Sequence, residues 1–177
     1  MIDLKTLNRM PAQEFVAALA SIFEHSPWVA QRVAELRPFD SGIALHRSLC
    51  EAVMQAGEAQ QLALIRAHPE LAGRAAIRGD LTAASTGEQR RAGLANCTPE
   101  QLQRLNSLNG AYSSRFGFPF VLAVRGHTPD TVIAAMERRL AHDLKQEVEE
   151  ALREIFTIAR FRLADLVQES PGPATTP

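Results

Sequence analysis

Apolar residues recur along this chain at the three- and four-residue spacing of helices rather than the alternation of strands. Phe15, Leu19 and Ile22 stand at that spacing after Pro11, and Pro27 starts a second helix with Trp28 packing near its beginning. The stretches 41–55 and 58–67 read as two more. Ser85 opens a short helix running to about Leu94. Thr98-Pro99-Glu100 starts the next, which turns Leu102, Leu105, Leu108 and Tyr112 inward. Thr128-Pro129 repeats that start signal for a helix carrying Ile133, Met136 and Leu140. A last long helix keeps Val148, Leu152, Ile155, Ala159, Leu163 and Leu166 on one face. The pattern predicts an all-α fold, a single compact domain of roughly eight helices over residues 1–168.

One run departs from it. Phe118 to Val124 is continuously apolar, begins with a proline at its second position, ends near Gly126 and reads as extended without an obvious strand partner. The segment 169–177 is rich in Pro and Thr with little to bury, and reads as a flexible tail.

Composition narrows the function classes. The 177 residues suit one core. With 19 Lys+Arg against 20 Asp+Glu the formal charge is −1, so no net positive field draws nucleic acid or acidic membrane. Hydrophobic residues make up 46%, yet no charge-free run approaches the roughly 20 residues of a membrane span. The first residues lack a secretory pattern, and Cys50 and Cys97 make no disulfide framework. A soluble protein of the reducing cytoplasm is expected.

HExxH, paired CxxC, glycine-rich phosphate loops and GxSxG are all absent, which argues against metal and nucleotide chemistry. Four local features stand out, each with two readings. Pro69 ends the helix before His68 and lets the imidazole leave the helix surface, either as a C-terminal cap or as a proton-transfer group. Ser85 and Glu88 have capping-box spacing and Gln89 shares their face, so the segment Ser85-Thr86-Gly87-Glu88-Gln89 either caps a helix or cradles a small polar ligand with open backbone N–H groups. The backbone of Phe120 to Val124 needs polar partners, from a second strand or from the amide edges of a ligand. Arg162 falls on or beside the apolar stripe of the last helix, where it either meets an anion or snorkels to solvent.

Taken together, HPELAG at 68–73, SxxEQ at 85–89 with AGL at 92–94, RFGFPFVLAV at 115–124 and FEHSPW at 23–28 resemble the signature blocks of the 2-oxo-4-hydroxy-4-carboxy-5-ureidoimidazoline (OHCU) decarboxylases. The similarity runs in order from about Leu4 to Val167. It implies an all-helical enzyme of urate breakdown that uses no cofactor and no metal, yields (S)-allantoin and CO2, and forms a homodimer. By resemblance His68 is the catalytic histidine with Glu88 beside it, and Pro69 lines the site. Ser85, Thr86, Gly87, Glu88 and Gln89 contact the substrate. The main chain of Phe120, Val121, Leu122, Ala123 and Val124 meets it, and Arg162 binds it. Arg115 stands where the family pattern frequently has lysine and is left out of the site. The alternatives are a catalytically silent small-molecule-binding module of the same fold and a metal-dependent amidohydrolase acting on a neighbouring ureide.

Overall fold

Threonine–proline pairs open two of the long helices as the sequence signals. In the computed structural model, which describes residues 1–73 and 79–168, the Thr98 and Thr128 side chains each accept the backbone N–H three residues on, and Gln101 and Thr131 return the bond to the cap's own N–H. Proline then fills the first helical position, where no N–H is needed.

Among the described residues a two-residue strand β1 (Ile2–Asp3) is followed by nine helices and a second short strand, β2 (Val167–Gln168). The helices are α1 (Leu4–Arg9), α2 (Ala12–Ala18), α3 (Pro27–Val33), α4 (Gly42–Met54), α5 (Glu58–Arg66), α6 (Ala83–Arg91), α7 (Pro99–Phe116), α8 (Pro129–Arg139) and α9 (Leu144–Leu166). None of them is long and apolar enough to cross a membrane. The expected flexible tail, 169–177, lies outside the described residues.

The described residues form two compact units, one of Met1–Gly57 with the stretch from Ala159 to Gln168, the other within Glu58–Ile158. In the first, Leu7, Phe15, Val29, Val33, Leu45, Leu49 and Val53 are fully buried, and β1 lies parallel to β2 with Ile2 opposite Val167. Ser41 caps α4 by accepting from Ala44. The helix after Pro11 ends at Ala18, short of Ile22, yet Leu19 and Ile22 stay buried in the following turns. Their spacing reports burial rather than continued helix.

In the second unit α7 and α8 pack together. Tyr112 sits among Phe116, Phe118 and Phe120, with ring centroids 4.7 to 6.1 Å away. On α8 the buried positions are Val132, Ala135, Met136 and Arg139, so Ile133 and Leu140 are only half-buried. A periodicity that counts only apolar residues misses this face because it contains an arginine. Arg139 is 1% exposed and Glu147 is 0% exposed. Arg139 Nε donates to Glu147 Oε1 at 2.9 Å, and the Tyr112 hydroxyl donates to the same oxygen. His142 Nδ1 lies 2.8 Å from Glu147 Oε2. Burial and the Glu147 carboxylate push the Tyr112 phenol above its ordinary value. A buried carboxylate is tolerable here because an ion and several hydrogen bonds offset its desolvation.

Candidate active site

His68 follows the last turn of α5, where Pro69 stops the helix. Its imidazole does not leave the helix surface. It folds back so that Nδ1 lies 2.9 Å from the Leu64 carbonyl, and the residue is 6% exposed. A carbonyl oxygen can only accept, so Nδ1 carries the proton and the lone pair of the neutral ring is on Nε2. A cavity of about 380 Å3 is lined by His68 with Arg66, Glu70, Ser113, Phe118 and Pro119, among others.

The turn after Pro69 is held from two helices. Gln89 Oε1 accepts the Ala72 N–H at 2.9 Å, and its Nε2 donates to the Glu70 carbonyl at 3.3 Å. Asn109 Nδ2 donates to the Leu71 carbonyl at 3.0 Å. Three consecutive residues are thereby fixed, although Ala72 has φ +51°, a left-handed conformation that costs an alanine about 1–2 kcal/mol. Gly73 is required beside them: a Cβ there would lie 2.6 Å from Glu70 Cβ. Sequence reasoning missed Asn109. Its signal was a polar residue four positions after Leu105 on the buried face of α7.

The expected helix start at Ser85 is one turn late. Thr82 is the cap, with extended backbone, and its Oγ1 accepts the Ser85 N–H at 3.3 Å while its carbonyl accepts the Thr86 N–H at 2.9 Å. Thr82 wins because Ala83 and Ala84, both strong helix formers, extend α6 backwards to it. The open N–H cradle at Ser85 and Thr86 is therefore not formed, and Ser85 and Glu88 do not make a capping box. What remains is a face: Ser85 and Gln89 are buried one turn apart, with Glu88 and Gly87 half-buried. Thr86 points elsewhere; it is exposed and its hydroxyl donates to the Thr82 carbonyl.

Among the described residues Phe118 to Val124 has no ladder partner, which argues against the paired-strand reading. Phe120, Val121, Leu122, Ala123 and Val124 are all buried, and charged side chains serve parts of their backbone. Arg139 Nη1 donates to the Val121 carbonyl at 2.8 Å, with its guanidinium 4.5 Å from the Phe120 ring centre. The Ala123 N–H donates to Glu154 Oε2 at 2.8 Å.

In the first unit, Arg162 is 8% exposed and does not snorkel. Its Nη1 donates to Glu24 Oε2 at 2.9 Å and to the Ser21 carbonyl at 3.1 Å. The anion its position called for is a buried glutamate of the FEHSPW block.

Residues 8–164 match the family model described as OHCU decarboxylase. The chain belongs to the OHCU decarboxylase family. Its members are carboxy-lyases, and so is this chain. It is 43% identical over 164 residues to a 2-oxo-4-hydroxy-4-carboxy-5-ureidoimidazoline decarboxylase of Haloferax volcanii, covering 93% of this chain and 95% of that one. A Bacillus subtilis protein, the uric acid degradation bifunctional protein PucL, is 42% identical over 96% of this chain and 33% of its own length. The fold also superposes on a crystal structure of (S)-allantoin synthase with a TM-score of 0.78 at 32% identity, covering 95% of this chain and 54% of that one. Family membership places the chain in urate degradation as a decarboxylase.

Proposed function

We propose that this chain converts 2-oxo-4-hydroxy-4-carboxy-5-ureidoimidazoline to (S)-allantoin and CO2 without a cofactor, with His68 as the proton-transfer residue. The observation that carries the reading is the fixed tautomer of a buried histidine: with Nδ1 committed to the Leu64 carbonyl, Nε2 is the basic atom of the neutral ring.

The substrate supplies its own electron sink. When the bond from the ring carbon to its carboxylate breaks, CO2 departs and the electron pair forms a carbon–carbon double bond in the ring. The neighbouring carbon–nitrogen π pair moves onto nitrogen, which takes a proton from solvent, the one proton that loss of CO2 from a carboxylate consumes. The hydroxyl then gives its proton to His68 Nε2 and becomes a carbonyl. The resulting imidazolium delivers a proton to the ring carbon bearing the ureido group, and delivery to one face yields one enantiomer.

Glu88 stabilises the imidazolium, and Pro69 shapes the wall beside it. Ser85, Gly87 and Gln89, with Thr86 at the margin, form the helical side of the site. The main chain of Phe120 to Val124 reads the amide edges, and Arg162 binds an anionic or carbonyl group. Gln89 already holds the 70–72 turn with both ends of its amide, so its role includes supporting His68 as well as touching the ligand. The working unit is a homodimer.

The test is optical. The short-lived substrate is generated from urate with the two upstream enzymes, and optical activity is followed with and without this chain. Faster formation of (S)-allantoin than in buffer is expected; a mixture that stays racemic at the spontaneous rate rejects the reading.

A further inference from the structure

The segment from Phe118 to Val124 is buried except at the half-buried Pro119 and has no ladder among the described residues, so something other than a neighbouring strand must set the direction of its peptide groups. Two side chains do so at positions two residues apart. Arg139 takes the Val121 carbonyl, and Glu154 takes the Ala123 N–H.

Each contact fixes a whole peptide plane. The one cis bond among the described residues is Arg37–Pro38, so the peptides joining Val121 to Leu122 and Leu122 to Ala123 are trans. In a trans peptide the C=O and N–H point in opposite directions. Holding the Val121 carbonyl on Arg139 therefore turns the Leu122 N–H away from Arg139. Holding the Ala123 N–H on Glu154 turns the Leu122 carbonyl away from Glu154. Both contacts are charge-assisted and stronger than neutral ones.

The two anchors differ in how they are held. Arg139 is itself locked by the buried Glu147, which Tyr112 and His142 also contact. Glu154 is half-buried on α9, and its position is served by ordinary helix geometry. Arg139 belongs to the core, whereas Glu154 can be changed without opening it.

We infer that Glu154 is a positioning residue for the reaction: by holding the Ala123 N–H it orients the Leu122 carbonyl, so that Leu122 presents its N–H and C=O as the donor and acceptor for the –NH–CO– edge of a ureide. The inference rests on the reading that the main chain of Phe120 to Val124 meets the substrate. It adds which residue makes the pairing and which side chain sets it. Glu154 does not touch the reacting atoms in this scheme; it acts through the backbone.

Glu154→Ala and Glu154→Gln separate positioning from simple structural support. Alanine is the best helix former and sits at a half-buried site, so the fold is retained. Glutamine keeps an oxygen that can accept the Ala123 N–H. Kinetics are measured with freshly generated substrate, and (S)-allantoin is titrated against the 15N-labelled protein to read the Leu122 amide signal. Glu154→Ala is expected to raise KM about tenfold while kcat changes less than about threefold, because an interaction common to bound substrate and transition state is weakened. Glu154→Gln is expected to stay within about threefold of the parent in KM, as a retained acceptor requires. In the unaltered protein (S)-allantoin should shift the Leu122 amide signal, and in Glu154→Ala the same shift should need more ligand.

A Glu154→Ala protein with the parent's KM overturns the inference, as does a Glu154→Gln protein that is impaired as severely as Glu154→Ala. Failure of the underlying reading looks different: the unaltered chain then forms (S)-allantoin no faster than buffer, or its Leu122 signal ignores saturating (S)-allantoin.

Discussion

Arg162 and Glu24 form an ion pair 2.9 Å long in which both side chains are almost completely buried. Removing one partner strands the other charge in a low-dielectric environment, which costs about 3–5 kcal/mol, whereas removing both need cost little. Glu24→Leu and Arg162→Met should each lower the urea midpoint strongly, and the double variant should recover much of the loss. Additive destabilisation in the double-mutant cycle would show that the pair is not energetically coupled. With substrate, Arg162→Met should also weaken saturation.

Replacing His68 by Asn should cut turnover by about 10²–10⁴-fold, the usual contribution of a positioned acid–base group. The asparagine amide can still donate near the Leu64 carbonyl, so stability should change by only about 1 kcal/mol. Circular dichroism and thermal melting check the second expectation, and (S)-allantoin formation checks the first. A folded variant with near-parent turnover removes His68 from its proposed role.

The cap of α6 is testable by comparing two alanine variants. Thr82→Ala removes the oxygen that accepts the Ser85 N–H and should cost about 0.5–2 kcal/mol in denaturant unfolding. Ser85→Ala removes no cap, so its effect should appear mainly in KM. Equal stability losses would contradict the placement of the helix start.

Burial, with help from the Glu51 charge, pushes the Cys50 thiol up from 9.0 to about 11. The folded chain then keeps a proton that the unfolded chain releases, so it binds more protons between those values. Cys50's contribution to stability is complete below pH 9 and declines as pH rises towards 11. The Tyr112 phenol, also raised, acts in the same direction at higher pH. Urea midpoints at pH 8 and 10.5 should show this fall, and Cys50→Ala should reduce it. A flat profile in the parent chain would count against the burial of this thiol.

Much of the fold is written locally. Thr98-Pro99 and Thr128-Pro129 contain their own helix starts, Ser41 and Gln55 bracket α4 as their spacing suggests, and Pro69 stops α5. These features depend on backbone geometry within one turn, and the residues on either side suffice to specify them. The blocks around His68, Ser85 to Gln89 and Phe120 to Val124 stand out for a related reason, since each interrupts the surrounding periodicity. Where the sequence misled, a choice between local alternatives was involved. Either Thr82 or Ser85 could cap α6, and the two intervening alanines carry the helix back to the earlier one.

The chain's sequence by itself determined that it would be helical, where most helices begin, and which short blocks break the helical pattern, because propensity, capping and periodicity act over a few residues. Only the tertiary structure decided how the charges inside it are paired: Arg162 with Glu24, Arg139 with Glu147 and the Val121 carbonyl, Glu154 with the Ala123 N–H. Those partners lie between 8 and 138 positions apart along the chain, and no local pattern encodes such a pairing. Each is selected when folding removes water and leaves a buried ion or peptide group to find its complement.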